Sequence, residues 1–281
     1  MFRNKIEKGD FVITCEVLTP LDLNFDNLIG SLTPLRGKID SFNLPFCPLG
    51  RLRPHSLLTA QVIMEHLKIN PILHLAARHQ TTLGFEATLL FCQAVGIENI
   101  LCITGDAPTE GEGNYCLNSI DLLNLASHLN KGISFSHQQL PVATDFLVCA
   151  AYNPNRINIR AENLRLKRKV ENGAKVFFTQ PVFNTKLFLE RITEAKEYNP
   201  GIKIIAGLSF LYKKKIALRL QKFLGIPYKY IEALGEEDEA GLLLKTAQAI
   251  RNAVDGFYII PIGHYDQAER LISRFEKNGI A

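Results

Sequence analysis

The chain has 281 residues, 47% of them hydrophobic and 21% charged, which is ordinary globular composition and excludes a largely disordered chain. The net charge of +4 falls far short of the concentrated basic surface of a dedicated nucleic-acid-binding protein. The first residues, MFRNKIEKGD, have no apolar signal core, and no apolar run approaches the roughly 20 residues that span a bilayer. We therefore expect a cytoplasmic protein that binds neither nucleic acid nor membranes.

Short segments rich in β-branched and aromatic residues recur along the whole chain, and each is followed by a segment of helical period. The predicted strands are FVITCEV (11–17), SFNL (41–44), ILHLA (72–76), NILCIT (99–104), FLVCAA (146–151), KVFFTQ (175–180), KIIAG (203–207) and GFYII (256–260). This alternation of strand and helix is typical of repeated βα units with a parallel sheet.

The predicted helices carry signals for their ends. They cover 22–36, 56–68, 81–95, 119–130, 161–172, 185–198, 212–224 and 265–278, with an extra helix near 237–252. Ser56, and Asp22 or Asn24, are expected to cap helix starts. A left-handed residue is expected just after four of the helices, at Gly96, Gly132, Gly173 and Gly225.

Eight βα units in about 250 residues are the size and pattern of a (β/α)8 barrel, which closes more readily than an open sheet of eight parallel strands. We therefore predict a single (β/α)8 TIM barrel, with an extra helix before the last strand, as one catalytic domain over residues 1–281. A doubly wound open sheet is the alternative.

Six cysteines are scattered singly along the chain, without a CxxC pair: Cys15, Cys47, Cys92, Cys102, Cys116 and Cys149. Several lie inside apolar runs, such as NILCIT and FLVCAA. The spacing favours buried free thiols over a disulfide framework or a metal site.

Polar residues end six neighbouring strands, where a barrel of this type has its active site. In strand order the ends are Glu16, Asn43, His74 with Arg78 just beyond it, Thr104-Gly105-Asp106, Tyr152-Asn153 and Thr179-Gln180. Each has an ordinary structural interpretation: Glu16 could pair with a lysine, His74 could be a core histidine, and Asp106 could organise a turn. Together they favour a functional site at one mouth of the barrel.

The loops after the strands include the glycine-rich stretches TGD and EGEGN, which would suit a large, partly planar ligand with a phosphate. Neither GxGxxG nor GxxxxGK[ST] occurs, so the two familiar nucleotide-binding loops are missing from the sequence. Arg168 and Lys169 could bind a pyrophosphate or could lie on a solvated helix face. The acidic run GEEDE (235–239) is predicted to be a solvated helix start.

Six segments follow, in order along the chain, the pattern of one enzyme family: ITCEVLTP, NPILHLAARH, GIENILCITGDAP, VCAAYNP, LKRKVENGAKVFFTQPVFN and GFYIIPIGHY. Together they resemble the methylenetetrahydrofolate reductases over nearly the whole chain. That family has a flavin-dependent (β/α)8 barrel. The resemblance implies FAD as cofactor and the reduction of 5,10-methylenetetrahydrofolate to 5-methyltetrahydrofolate, a step of one-carbon metabolism and methionine biosynthesis.

The resemblance also implies roles for individual residues. Glu16 matches the family's acid, which protonates folate N10 so that the ring opens to a 5-iminium ion; an apolar surround that raises its pKa would suit this role. Asp106 matches the aspartate near flavin and pterin, and Gln180 matches a substrate-binding glutamine. The residues that the resemblance and their strand-end positions together assign to FAD binding are Asn43, His74, Arg78, Thr104, Gly105, Asp106, Ser119, Tyr152, Glu162, Arg168 and Lys169.

The sequence departs from the family pattern in three places. The usual HLTCRD reads HLAARH, so that His79 replaces an acidic residue, and Thr19-Pro20 replaces a double proline. The segment SFLYKK (209–214) lacks the polar pattern and the phenylalanine that nicotinamide-using members present there. This departure favours electron delivery by a partner subunit over direct use of NADH, with NAD(P)H as the alternative donor. We also expect an oligomer. The alternatives are a folate-binding barrel for non-redox methyl transfer and a non-catalytic subunit.

Overall fold

The computed structural model describes residues 2–280, apart from the side chain of Phe223, and contains a closed barrel of eight parallel strands in chain order. The strands are β1 (Val12–Glu16), β2 (Ser41–Leu44), β3 (Ile72–Ala76), β4 (Asn99–Ile103), β5 (Leu147–Tyr152), β6 (Val176–Pro181), β7 (Lys203–Ser209) and β8 (Gly256–Ile260). β8 pairs with β1, which closes the ring. The predicted (β/α)8 barrel is confirmed, and the doubly wound alternative is excluded.

Helices surround the barrel. They are α1 (Phe2–Lys8), α2 (Phe25–Leu32), α3 (Ser56–Leu67), α4 (Thr82–Ala94), α5 (Ser119–Leu129), α6 (Ile159–Glu171), α7 (Thr185–Tyr198), α8 (Lys214–Leu224), α9 (Tyr228–Ala233), α10 (Glu239–Ile250) and α11 (Tyr265–Lys277). α1 and α9 were not predicted, and α2 is shorter than predicted because a 3₁₀ turn with Pro34 follows it. Among the residues that the structure describes, no helix is long and apolar enough to cross a membrane.

The connection between β7 and β8 holds three helices. The predicted extra helix is present as α10, and it is α10 that packs against β7 between α7 and α11. Its buried stripe, which includes Leu243, Ala247 and Ile250, joins the main core. α8 and α9 pack on each other in a separate apolar cluster with Leu211 and Phe183. α10 therefore completes the ring, and α8 and α9 are the addition to it.

The strands divide their side chains between two apolar layers, because successive residues of a strand point to opposite faces. Phe42, Leu73 and Phe177 belong to the large core between strands and helices. Phe178 and Leu101 belong to the smaller cluster inside the barrel. The position of a residue in this alternation therefore decides whether its side chain faces the interior of the barrel or the surrounding helices.

The short N-terminal helix α1 packs against the interior cluster. Phe2 and Ile6 are buried in that cluster, and the Phe2 ring lies 6.3 Å from the ring of Phe178. Arg3 binds Asp145, the residue two before β5, with a shortest N–O distance of 2.8 Å. The helix therefore closes the end of the barrel from which the strands start.

The helix ends agree with most of the predicted signals. Asn24 caps α2 by accepting a hydrogen bond from the N–H of Asn27. The four predicted glycines, at 96, 132, 173 and 225, all have positive φ. The prediction that Ser56 caps α3 is wrong: Ser56 is the buried first residue of the helix, and the Nδ1 atom of His55 accepts the bond from Leu57 N–H instead.

The predicted free thiols are confirmed, since none of the six cysteines forms a disulfide in the described residues. Cys15, Cys92, Cys102 and Cys149 are buried. Cys47 is only half-buried and Cys116 is exposed, so their burial was wrongly predicted. Both lie in loops, where the sequence offers no apolar run to bury a thiol.

Candidate active site

A cavity of about 720 Å³ opens at the carboxyl ends of the strands. Its wall includes most of the predicted site residues: Glu16, His74, Thr104, Gly105, Asp106, Ser119, Tyr152, Glu162, Arg168, Lys169 and Gln180. Asn43 and Arg78 do not line it. The volume lies in the range typical of cofactor and small-molecule sites.

Glu16 is the last residue of β1, and its half-buried side chain lines the cavity. Burial raises the pKa of this carboxyl, and a hydrogen bond from the Tyr258 hydroxyl to Oε2 lowers it in part. The net shift is upward, so Glu16 holds a proton at higher pH than an exposed glutamate does. A carboxylic acid of this kind can act as a general acid.

Tyr258 was not predicted as a site residue. It lies on β8 beside Thr14 of β1, and its ring packs edge-on against Phe178 with centroids 5.6 Å apart. Burial raises its pKa well above the ordinary value, so its hydroxyl keeps its proton as donor to Glu16. The alternation in GFYII, which places Tyr258 on the same face as Gly256 and Ile260, is a sequence signal that could have identified it.

His74 lines the cavity on β3, and Asn43 supports it from the neighbouring strand. The side-chain Nδ2 of Asn43 lies 3.1 Å from Nε2 of His74. Burial lowers the pKa of His74 to about 3, so the imidazole is neutral near neutral pH. If Asn43 donates to Nε2, the ring hydrogen is on Nδ1. Asn43 therefore acts on the cavity by orienting His74.

Two loops meet at the cavity's edge, and Asp106 and Arg78 connect them. An Asp106 carboxylate oxygen accepts a 2.8 Å hydrogen bond from the N–H of Leu49 in the β2–α3 loop. The buried guanidinium of Arg78 donates to the backbone carbonyls of Asp106 and, at 3.3 Å, of Cys47. Arg78 thus fixes the loop that carries Asp106, without reaching the cavity itself.

Gly50 lets these two loops pack closely. A Cβ atom at this position would lie 1.9 Å from the carbonyl oxygen of Ala107, and the backbone φ of +67° also favours glycine. Thr109 N–H donates to the Gly50 carbonyl at 3.1 Å. The β2–α3 and β4–α5 loops therefore form one packed unit beside the cavity.

One end of the cavity is basic. Arg156, Arg165, Arg168 and Lys169 line it together with one buried acid, Glu162. Arg165 pairs with Glu162 at 3.3 Å. Lys169 donates to the carbonyl of Ala151 at 2.6 Å, and burial lowers its pKa. Sequence reasoning missed Arg156, which lies in the β5–α6 loop without a strand-end position to mark it.

The N-terminus of α5 also lines the cavity. Asn118 caps this helix through Ile120 N–H at 2.8 Å, and its own N–H donates to Asp121, which completes a capping box. Ser119 N–H donates to Thr104 Oγ1 at 3.3 Å. A helix N-terminus carries partial positive charge. It adds to the basic character of the cavity wall on the side of β4.

Gln180 and Tyr152 take opposite orientations at their strand ends. Gln180 lies on the same face of β6 as Val176 and Phe178, which face the barrel interior. Tyr152 lies on the outer face of β5, and its buried hydroxyl donates to Asn163 of α6 at 2.7 Å. The Gln180 amide is thus available to a ligand, whereas the Tyr152 hydroxyl already has a protein partner.

Within the segment 209–214, residues 209–212 pack against the protein, and Lys213 and Lys214 are exposed. Phe210 and Leu211 are buried, and Tyr212 stacks on Phe210 with centroids 5.4 Å apart. Glu239 accepts hydrogen bonds from the N–H groups of Leu211 and Tyr212, at 2.6 and 2.9 Å. Residues 235–238 are exposed at the start of α10, as predicted, whereas the half-buried Glu239 anchors this loop. No residue of 209–214 lines the cavity.

The cavity of this closed (β/α)8 barrel holds an acid, a neutral histidine and a cluster of cations at the carboxyl ends of the strands, where barrel enzymes have their active sites. The sequence model of the family described as Methylenetetrahydrofolate reductase matches residues 1–254. The chain therefore belongs to the methylenetetrahydrofolate reductase family.

A similar curated protein is Methylenetetrahydrofolate reductase (NADH) 1 from Arabidopsis thaliana, which is 21% identical over 251 residues. The match covers 83% of this chain but only 42% of that relative, so the chain spans less than half of its length.

Two solved structures share the fold. An uncharacterized protein from Clostridium thermocellum that binds two copies of 5-methyl-5,6,7,8-tetrahydrofolic acid matches 99% of this chain and 100% of its own, with a TM-score of 0.72 and 16% identity. A 2,3-dimethylmalate lyase of the PEP mutase/isocitrate lyase superfamily matches 99% of this chain and 84% of its own, with a TM-score of 0.57 and 11% identity. Both matches concern the fold.

Proposed function

We propose that this chain reduces 5,10-methylenetetrahydrofolate to 5-methyltetrahydrofolate with FAD as cofactor. The observation that carries the proposal is Glu16, whose carboxyl lines the cavity with a raised pKa and receives a hydrogen bond from Tyr258. Membership of the family supports a folate-related reductase. The fold relative from Clostridium thermocellum binds 5-methyltetrahydrofolic acid, which is the product of the proposed reaction.

The cavity fits a flavin dinucleotide in size and charge. Arg156 and Arg168 line its basic end, where a pyrophosphate would find charge-assisted hydrogen bonds, and the N-terminus of α5 adds partial positive charge. Leu101, Phe178 and Ile260 give the interior apolar surfaces against which a planar ring can pack. When bound, the flavin supplies the hydride from its reduced N5 position.

In this proposal Glu16 delivers the proton that opens the substrate's five-membered ring. Its proton goes to folate N10 while the bond from N10 to the bridging carbon breaks, which leaves the 5-iminium ion that accepts the hydride. Gln180 and Asp106 would hold the pterin by hydrogen bonds. The neutral His74 adds no charge next to Glu16, so it does not lower the acid's pKa.

We also propose that electrons reach the flavin by a route other than a nicotinamide stacked against segment 209–214. Phe210 and Leu211 are buried in the protein, and Glu239 fixes the backbone of this segment. A reductase partner subunit, or a nicotinamide bound elsewhere at the mouth, remains compatible with this geometry. Anaerobic mixing with NADH, NADPH or a reduced dye, followed through flavin bleaching, distinguishes these donors.

A second candidate function is non-redox methyl transfer by a folate-binding barrel. The observation in its favour is the methyltetrahydrofolate bound by the fold relative. It would use Asp106 and Gln180 to hold the pterin, but it needs no flavin.

One experiment separates the two functions without knowledge of the electron donor. The purified protein is reconstituted with FAD and mixed anaerobically with 5-methyltetrahydrofolate, which reverses the proposed reaction. Bleaching of the visible flavin band, with formation of methylenetetrahydrofolate, supports the reductase. A protein that binds the folate but takes up no FAD, or whose flavin stays oxidised, supports methyl transfer and overturns the proposal.

A further inference from the structure

Helix α4 presents an apolar stripe to solvent, which we call the α4 stripe: Leu83, Ala87, Leu90, Phe91 and Ala94. The three large side chains are 78%, 41% and 44% exposed for Leu83, Leu90 and Phe91, respectively. Both alanines are exposed as well. The stripe follows the helical spacing of i, i+4, i+7, i+8 and i+11, so it forms one continuous face.

This face differs from the outward face of an ordinary barrel helix. The opposite side of α4 already packs on the core through Phe85, Leu89 and Cys92. A surface helix usually places charged residues on its solvent side, as α6 does with Arg160 and Lys167. The α4 stripe has no charged residue, and contiguous exposed apolar patches mark interaction sites.

The arrangement of large and small residues along the stripe is self-complementary. If two copies of α4 pack antiparallel, with a twofold axis between positions 88 and 89, Leu83 of one copy lies opposite Ala94 of the other. The same axis places Ala87 opposite Leu90. Both leucines then meet an alanine, which is a condition for close helix packing, and Phe91 lies at the level of Glu86 of the other copy, beside these contacts.

We propose that the α4 stripe is a twofold interface between two copies of this chain. A twofold interface uses the same patch on both subunits, which this self-complementary pattern satisfies. Because the stripe has no charged residue, it offers no ion pair to a charged partner protein. Its nearest acid, Glu86, already accepts a 2.6 Å hydrogen bond from the N–H of Phe135.

The exposed area is of the size that forms the centre of a dimer interface. With about 200 Å² for a whole aromatic side chain, Phe91 exposes about 90 Å², and the two leucines together add about twice that area. The sum is about a third of the ~800 Å² per partner in a standard interface, and polar rims usually supply the rest.

The first test measures the oligomeric state by sedimentation velocity over a range of concentrations. We expect the wild-type protein to contain the dimer and Leu90→Glu to lose it, because two buried carboxylates would face alanines near the twofold axis. Leu218→Glu is the matched control: Leu218 is 51% exposed on α8, away from the stripe, and its change should leave the dimer intact. A monomeric wild type, or a Leu90→Glu variant that stays dimeric, overturns the proposal.

The second test checks the packing register and does not depend on one variant. Ala87→Lys and Leu90→Glu should each weaken self-association, since like charges would lie about 4.5 Å apart along the axis. A mixture of the two variants should form a heterodimer, because the introduced ammonium then faces the introduced carboxylate and the other contact keeps its native pair. Dimers in the mixture but not in the separate variants support the proposal, and their failure to form overturns it. Folding is checked by circular dichroism of each variant.

Discussion

At the scale of single residues, the pair of Glu16 and Tyr258 is the most chemically distinctive feature of the cavity. The half-buried carboxyl has a raised pKa because the surrounding protein shields it from water, and the tyrosine hydroxyl leaves one oxygen, Oε1, without that contact. The pair therefore determines both when the acid is protonated and which oxygen can deliver the proton.

Substitution Glu16→Gln tests the acid directly. We expect FAD binding and flavin reduction to persist, because the amide keeps the size of the side chain, and folate turnover to fall at least about a hundredfold, the lower range for a lost general acid. Single-turnover absorbance measurements separate the two half-reactions. Glu98→Gln, an exposed position at the opposite end of the barrel, serves as control. Unchanged turnover in Glu16→Gln would remove this residue from the mechanism.

Substitution Tyr258→Phe tests how the hydrogen bond from Tyr258 affects the pKa of Glu16. The tyrosine hydrogen bond lowers the pKa of Glu16, so its loss should raise that pKa further. The protonated acid is the active form and is lost as pH rises through its pKa, so the alkaline limb of the pH–rate profile should move to higher pH.

The same variant should lose about tenfold in turnover, which corresponds to a hydrogen bond of about 1.4 kcal/mol. Tyr265→Phe is the control, since the Tyr265 hydroxyl accepts from Leu18 N–H at 3.2 Å and does not touch Glu16. A profile that stays in place, or moves to lower pH, contradicts the assignment.

The sequence identified Glu16 and Gln180 as candidate site residues because each is a polar residue that ends an apolar strand. It did not distinguish residues that face the cavity from those that support it. Arg78 binds the carbonyls of two loops, a contact that depends on where those loops fold back. Arg156 reaches the cavity from a loop, and no periodic pattern reports the direction of a loop side chain.

At the scale of elements, the contact between the β2–α3 and β4–α5 loops should control Asp106. Gly50→Ala would place a methyl group against the Ala107 carbonyl, so the loops must separate and the Leu49–Asp106 hydrogen bond should weaken. We expect a loss of about 1–3 kcal/mol in stability and weaker folate binding, measured by denaturant unfolding and titration.

Gly37→Ala is the matched control for this change. Gly37 also has a positive φ, of +83°, but a Cβ there meets nothing within 4 Å. Its loss of stability therefore measures backbone strain without the clash. Equal effects in the two variants would show that the packing of the loops contributes nothing.

Helix α1 should contribute more to the free energy of unfolding than its seven residues suggest. Phe2 is 1% exposed within the interior cluster, and a buried Phe→Ala change usually costs about 3–5 kcal/mol. We expect Phe2→Ala to lower the free energy of unfolding by that amount, measured by denaturant unfolding, while the exposed Lys8→Ala changes it little. A Phe2→Ala protein as stable as the wild type would mean that α1 does not close the barrel in solution.

The elements themselves were predictable to different degrees. All eight strands were predicted because each is a short apolar run bounded by turn residues. α1 and α9, with seven and six residues, were missed because two turns of helix give too little periodicity to detect. They form through tertiary packing, α1 on the barrel interior and α9 on α8.

At the scale of the whole molecule, cofactor binding should stabilise the barrel. A ligand that binds only the folded state adds about 2.7 kcal/mol at a concentration of 100 Kd, or roughly 5 °C or more in the unfolding midpoint. At equal ligand concentrations we expect a larger shift with FAD than with riboflavin, which lacks the phosphates that Arg156 and Arg168 would bind. Equal shifts, measured by thermal unfolding, would contradict the assignment of the basic end.

The fold was predictable at this scale because eightfold repetition leaves few ways to arrange the chain. The role of each helix between β7 and β8 was not, since only packing distinguishes α10, which completes the ring, from α8 and α9. The α4 stripe was also missed, because its apolar residues could equally have faced the core. The structure shows that Phe85, Leu89 and Cys92 are the residues of α4 that face the core.

The closure of the barrel by Phe2 and Ile6 also bears on the order of events during turnover. With one end filled, every molecule that reaches Glu16 in the described structure comes through the mouth at the other end. An electron donor that needs the exposed face of the flavin and the folate that takes its hydride would then occupy the same space in turn. For a nicotinamide donor bound at this mouth, we expect parallel lines in double-reciprocal plots, with each product leaving before the next reactant enters.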